Sequence, residues 1–590
     1  MATIFRFTLA ALFFVWLHFL ALALATQDDL VISTQHGKVL GKLVNGDVRT
    51  FLGVPYGKPP IGKLRFKAPQ PVERWDGVKD CTKFSSSCYQ LPDKKFPGFK
   101  GSEMWNPNTP LSEDCLYLNV WSPRVNKTQS QPSPLAPVLV WIYGGGFFSG
   151  TASLDIYDGH FLSKAEGVVV VSMNYRVGAL GFLSLPDNNN INGNAGLLDQ
   201  RLALEWVSNN IAAFGGDPSK VTLFGESAGS GSVGYHLLSP GSQHLFQRAV
   251  MQSGSPNAPW ASISQAVAWD RSLKLASLLG CQTSHPAKLE ICLQQADAHS
   301  IINKQHDVVA KPSLFTPPFP PHADGEFLPD EVEVLLNSGK VPKKELMLGV
   351  TQDEGTFFLV YGVPGFDIVS ESLITRNQFL KGLHLTLPST SEVIREAAVF
   401  QYTDWTDVTD RVKNRDAMGS LVADHMFKCP VVDFAHRYSQ NGGKTFLYLF
   451  DHRSSVNPWP AWMGVMHGDE IEFVFGLPLN ASLGYTKNEV NMTRRFMKHW
   501  ANFARTGNPG TDGAQWPAFT QEYQEYVTLN HHLPQLKKMM RAKECHLWNH
   551  FIPQMQNVSD QLLSCMNASG IILHCNYIIL LILLTMTFIC

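Results

Sequence analysis

The segment Gly225-Glu226-Ser227-Ala228-Gly229 leaves few folds open to the chain. It follows Val221-Thr222-Leu223-Phe224, a short apolar run that reads as a buried strand, and it leads into a helix of small residues. A serine between two glycines at a strand-to-helix junction is a G-x-S-x-G elbow, a sharp turn that lifts the hydroxyl out of the backbone. The glycines are there because such a turn leaves no room for β-carbons beside the serine. A strand that ends in a helix start implies a sheet with crossover connections.

Further apolar runs fit that plan: Val138 to Tyr143, Val168 to Tyr175, Ala249 to Ser253 and Leu346 to Thr351. Between the second of these and the elbow, Leu202, Leu204, Trp206, Val207 and Ile211 recur at roughly helical spacing within 197–214. Runs that are apolar on both faces and separated by helices indicate a mostly parallel sheet, so the fold class is α/β. The 590 residues carry 48 Lys plus Arg against 50 Asp plus Glu, which gives no electrostatic footprint for nucleic acid. No internal repeat or low-complexity tract divides the chain, and Pro317-Pro318-Phe319-Pro320-Pro321 is a local rigid loop.

The chemistry gathers around the elbow. Tyr143-Gly144-Gly145-Gly146-Phe147 follows the strand that ends near Ile142. Acyl transfer builds negative charge on a carbonyl oxygen, and glycine peptides can approach that oxygen closely enough to donate N–H bonds. Gly145, Gly146 and the N–H of Ala228 are the oxyanion-hole candidates. Ser227 then needs an acid and a histidine, which follow it in that order in this kind of site. Asp353 and Glu354, after the strand Leu346 to Thr351, both qualify as the acid. His452, after the strand Thr445 to Asp451, and His467, in a glycine-flanked loop, both qualify as the base. Neither a metal nor a cofactor is required.

The ends differ from the middle. Residues 1–25 place a single early cation, Arg6, before an apolar run that closes on Ala23-Leu24-Ala25, the pattern of a secretory signal. At the other end, Asn567-Ala568-Ser569 precedes a short spacer and the apolar tail Tyr577 to Cys590, the order of a glycolipid-anchor signal with attachment at Asn567. The alternative is a C-terminal membrane helix. The organisation expected is a signal peptide (1–25), one catalytic domain with a short stem (26–567) and a C-terminal propeptide (568–590), on a protein held at the outer face of the cell membrane. Ten cysteines suit a secreted, largely disulfide-paired chain, although spacing does not give the pairing. Sequons at Asn126, Asn480, Asn491 and Asn557 are candidate glycan sites, and a fifth begins at Asn567.

Several longer motifs carry a resemblance. Glu103-Met104-Trp105-Asn106-Pro107-Asn108, Ser112-Glu113-Asp114-Cys115-Leu116-Tyr117-Leu118-Asn119-Val120-Trp121, the elbow, Asp353-Glu354-Gly355-Thr356-Phe357-Phe358, and Trp462-Met463-Gly464 through His467-Gly468 to Glu472-Phe473 resemble the cholinesterases over about residues 28 to 555. The resemblance implies one large α/β-hydrolase domain, hydrolysis of choline esters through an acyl-enzyme, and a Ser227, Glu354, His467 triad. It implies disulfides Cys88 to Cys115, Cys281 to Cys292 and Cys429 to Cys545. Cys565 is left for a bond between two chains of a homodimer, and Cys81 is unexplained. It also implies that the quaternary ammonium of choline lies on the indole of Trp105, beside Glu226 and Phe357, with Asp93 and Tyr361 at the rim. An indole suits a methylated cation, which cannot donate hydrogen bonds but is drawn to the ring's negative face. Trp105 and Glu226 argue against a broad carboxylesterase with no choline preference, and Ser227 and His467 against a catalytically dead adhesion protein of the same family.

The departures from the family set expectations of their own. Leu91, Phe148 and His306 stand where aromatic rim residues are usual, which weakens an outer cation site. Asp469 stands in place of a tyrosine two residues after His467, where a carboxylate could raise the pKa of the ring. In the acyl pocket the resemblance aligns Phe315 and Pro317 with two crowding phenylalanines, with Trp260 and Phe358 as the remaining walls. One bulky wall is kept and one lost, so acetylcholine should be hydrolysed well and butyrylcholine appreciably.

Overall fold

A computed structural model describes residues 29–124, 134–309, 314–388, 390–511 and 515–567, with the side chains of the last helix described as far as Gln561. One sheet of 11 strands runs through the molecule. In chain order its strands are β1 (Lys42–Val44), β2 (Val48–Pro55), β3 (Tyr117–Pro123), β4 (Ala136–Ile142), β5 (Val169–Met173), β6 (Gly216–Glu226), β7 (Arg248–Gln252), β8 (Glu345–Thr351), β9 (Thr445–Phe450), β10 (Glu525–Leu529) and β11 (Gln535–Lys538). Their spatial order is β11-β10-β9-β8-β7-β6-β4-β5-β3-β2-β1. From β5 through β4 to β10 every neighbouring pair is parallel, whereas β1, β2, β3 and β11 pair antiparallel.

The central strands coincide with the apolar runs because both of their faces are covered. Every residue of β5 and β7 is buried. Among the helices that cover the sheet are α1 (His160–Glu166), α2 (Ala195–Asn210), α3 (Ala228–Leu238), α4 (Cys429–Gln440) and α5 (Lys487–Thr506). Helix α5 starts at a capping box, in which Thr486 and Glu489 each accept the other's backbone N–H. It ends at Gly507 in the left-handed region, and Met492, Phe496, Trp500 and Phe503 form the face it buries against β4 and β6. The antiparallel strands β1 to β3 are the part that period alone does not find. β1 has three residues, partly exposed, and lacks the long apolar run of a central strand. At the opposite edge, all four residues of β11 are exposed.

Three disulfides close within the described residues: Cys88 to Cys115, Cys281 to Cys292 and Cys429 to Cys545. The third joins the start of α4 to the segment that leads into the last helix, α6 (Ile552–Asn567). Cys81 is a buried free thiol whose pKa burial pushes up to about 12, so it is inert rather than nucleophilic. Asn491 and Asn557 are exposed, and Asn480 is partly exposed with its side chain accepting from Ser482. Asn126 and the tail 568–590 lie outside the described residues, as do the side chains of Cys565 and Asn567. No helix among the described residues is long and apolar enough to cross a membrane.

Candidate active site

Strand β6 ends at Glu226 and α3 begins at Ala228, so Ser227 occupies the junction, with φ 57° and ψ −121°. A non-glycine residue held there costs about 1–3 kcal/mol, which the surrounding packing must supply. The local reason is steric. A β-carbon on Gly225 would lie 2.6 Å from the Gly229 backbone, and one on Gly229 only 1.9 Å from the Ile142 carbonyl oxygen. The Ser227 N–H donates to the Gln252 carbonyl at the end of β7, which ties the elbow to the next strand.

The loop after β4 passes close to the same serine. A β-carbon on Gly144 would approach the Glu226 backbone oxygen and the Ser227 side chain, at 2.7 and 2.9 Å. Gly145 and Gly146 have φ of 107° and 60°, which suit glycine alone at no cost. Among the described residues, neither of their N–H groups donates to a protein acceptor, which leaves both for an incoming oxyanion.

Sequence reading left two acids and two histidines open, and the geometry separates them. Glu354 is fully buried. Its Oε1 accepts from the Thr351 N–H, and its Oε2 lies 2.6 Å from His467 Nδ1. Asp353 turns away and accepts the Val465 N–H through Oδ2 at 2.9 Å. His452 lies 3.2 Å from Glu489 and belongs to the capping cluster of α5.

The other face of His467 holds a finding that the sequence does not reveal. Nε2 lies 3.1 Å from Glu226 Oε1, at an angle that makes no hydrogen bond, and no bond forms between the ring and the Ser227 hydroxyl. Burial opposes a charge on the ring, but Glu226 and then Glu354 outweigh it and raise the pKa of His467 above its ordinary value. Burial likewise raises Glu226, which the ring partly offsets. The rings of Phe427 and Phe358 stand 4.5 and 5.2 Å from the imidazole. Glu470, also raised by burial, accepts from Gln252, which in turn accepts from the Trp500 indole. Sequence reading passed over Glu470, Gln252 and Phe427; the only signal for Glu470 was its closeness to His467. The carboxylates that raise the ring most are Glu226, Glu354 and Glu470, and Asp469, offered by the sequence for that part, does not rank with them.

The imbalance predicts a pH effect. A general base must be neutral to accept a proton, so activity rises as pH passes through the pKa of the ring. Glu226→Gln removes the larger of the raising charges, so the acid limb of kcat/KM for an uncharged ester should move to lower pH. A pH-rate profile whose midpoint stayed in place or rose would show that Glu226 does not set the protonation of the ring.

Ser227, His467, Gly145 and Gly146 open into one cavity of about 750 Å3. Trp105, Glu226, Phe357, Phe358 and Phe315 line it, and so do Asp93, Tyr361, Leu91, Phe148 and His306. Trp105 follows a short helical turn, Lys100–Glu103, and its indole edge faces Gly468, where an added β-carbon would lie 3.4 Å away. Asp93 accepts from the Tyr361 hydroxyl at 2.7 Å and from the Lys95 N–H at 2.8 Å. Two acyl-wall candidates do not reach the cavity. Trp260 stands behind Phe315, their ring centres 5.9 Å apart, and gives its indole N–H to the Met426 carbonyl. Pro317 is buried with its carbonyl held by Arg271, and the cavity surface beside Phe315 comes instead from Leu314 and Thr316.

An elbow serine at the end of a parallel strand, a buried carboxylate on a histidine and a glycine loop with free N–H donors together define a serine hydrolase of the α/β type. Residues 28–548 match the model of the carboxylesterase family, and the chain belongs to that family. It is similar to an acetylcholinesterase of Bungarus fasciatus, with 50% identity over 542 residues that cover 90% of this chain and 88% of the relative.

Proposed function

We propose that the enzyme hydrolyses choline esters, with Ser227 as nucleophile, His467 as proton carrier and Glu354 as the group that fixes the ring at Nδ1. The observation that carries this reading is a single cavity lined by Ser227, His467 and the Glu226 carboxylate together with the indole of Trp105. The name of the similar Bungarus fasciatus enzyme supports the same substrate class. The Ser227 hydroxyl gives its proton to Nε2 of His467 and its oxygen adds to the ester carbonyl. The N–H groups of Gly145, Gly146 and Ala228 take the resulting oxyanion. The imidazolium then protonates the leaving choline oxygen as the C–O bond breaks, and water repeats the sequence on the acyl-enzyme. For this to begin, Nε2 must turn from Glu226 toward Ser227. Catalytic hydrogen bonds commonly tighten only when substrate arrives.

The acyl group lies against Phe315 and Phe358, with no second ring from position 317, so acetyl and longer acyl chains both fit this reading. Trp105→Ala should weaken kcat/KM for a cationic ester by up to about 2 kcal/mol, a desolvated cation–aromatic contact, and affect a neutral isostere much less. Equal losses for the two esters would reduce Trp105 to a packing residue.

We also propose secretion, a glycolipid anchor at Asn567 and a homodimer linked through Cys565, at the outer face of the cell membrane. Three disulfides support an oxidising compartment, and the order of small triplet, spacer and apolar tail supports the anchor. A phosphatidylinositol-specific phospholipase should release active enzyme from cells, running as a dimer until reduced. Activity retained on the membrane after the lipase would favour a membrane helix.

A further inference from the structure

The histidine loop is held by carboxylates from two sides. The Val465 N–H donates to Asp353 Oδ2 at 2.9 Å, and the next N–H, of Met466, donates to Asp469 Oδ2 at 2.8 Å. The Asp469 N–H returns to the Met466 carbonyl at 3.2 Å, so the turn that carries His467 is closed between the residue before it and the residue two after it. Asp469 also reaches across to another segment. Asn457 Nδ2 donates to its Oδ1 and Oδ2, at 3.3 and 3.1 Å, while Asn457 Oδ1 accepts the Trp459 N–H at 3.0 Å. Trp459 packs on Phe99 and Phe357, so this chain of bonds runs from the histidine turn to the aromatic wall of the cavity.

We propose that Asp469 is a positioning residue: by accepting from Met466 and Asn457 together, it keeps the ring of His467 seated on Glu354 and within reach of Ser227. The inference rests on the triad reading above. Two features make the role specific. Asp469 does not line the substrate cavity, so it has no direct part in binding. The neighbouring cation, Arg453, spends its guanidinium on the carbonyls of Gly464 and Trp459, the same two segments that Asp469 joins through Met466 and Asn457. Carboxylate and guanidinium thus bridge one gap in parallel, and the carboxylate is the strut nearer the histidine. A displacement of about 1 Å in a reacting group can cost on the order of 100-fold in rate, so a loosened turn should appear in kcat before it appears in KM.

The test uses the full-length enzyme with one cationic and one uncharged ester, active sites being counted by a covalent serine titrant. Asp469→Ala should lower kcat at least about 10-fold for both esters, while each KM stays within about twofold. Asp469→Asn keeps an oxygen for the Met466 N–H and should restore most of that loss. Asn457→Ala, which cuts the far end of the strut, should show the same split at smaller amplitude and decides the matter if Asp469→Ala does not fold. An unchanged kcat per titrated site in Asp469→Ala and Asn457→Ala overturns the proposal, as does an Asp469→Asn variant as slow as Asp469→Ala. Ser227→Ala, assayed alongside, separates the two layers: activity surviving there would defeat the triad reading, whatever Asp469 does.

Discussion

Replacing Ser227 by Ala should lower kcat by about 10^6-fold while leaving the melting temperature and circular dichroism of the enzyme close to those of the parent. The size follows from covalent chemistry. Without the hydroxyl there is no nucleophile for His467 to activate, and what remains is the binding and the glycine N–H donors, worth roughly 10^3 to 10^4 over water. The three residues act as a unit, so the double variant Ser227→Ala, His467→Ala should be hardly slower than either single one. Folding should survive because alanine can take the elbow conformation at a strain cost similar to that of serine, and the tight contacts there involve Gly225 and Gly229 rather than the hydroxyl. Retention of more than about 1% of the parental kcat in Ser227→Ala would remove Ser227 from the mechanism.

The second large effect concerns stability. The chain-entropy account makes a cross-link more stabilising the longer the loop it closes. Cys429 to Cys545 spans 116 residues, against 27 for Cys88 to Cys115 and 11 for Cys281 to Cys292. Opening them by paired Cys→Ser changes should cost about 5, 3.6 and 2.8 kcal/mol respectively. The longest bridge should cost more still in function, because it pins the start of α4 next to Phe427, whose ring lies against His467. Urea unfolding of the three variants tests the ranking. If the 11-residue bridge proved the most costly, local geometry rather than loop length would govern their worth.

How much of this was legible in the sequence depends on the range of the signal. The parallel strands were readable because strands buried on both faces must be apolar along their whole length, as at Val168 to Tyr175. The elbow was readable because its constraint is local: two glycines, a serine and the elements on either side. Glu354 and His467 were not readable from spacing. They lie 113 residues apart and meet only because β8 and β9 end side by side, so the resemblance, rather than the period, separated them from Asp353 and His452. The approach of Glu226 to Nε2 was invisible for a different reason, since Glu226 and Ser227 are adjacent in sequence whatever the ring does. The acyl wall shows the opposite failure: alignment put Pro317 into the cavity, but Arg271 holds its carbonyl and the chain presents Thr316 there instead.

An open sheet has two rims at which its ladder of peptide groups could continue into another molecule. Here one rim is Lys42–Val44 and the other is Gln535–Lys538, and both are studded with cations at Lys42, Lys537 and Lys538. Two such rims brought together would set like charges against each other and strip them of water, so growth of the sheet from molecule to molecule is discouraged. At high local concentration, that is protection against fibrous polymerisation. It also leaves the helical faces, not the strand ladder, as the ground on which copies of the chain can pair.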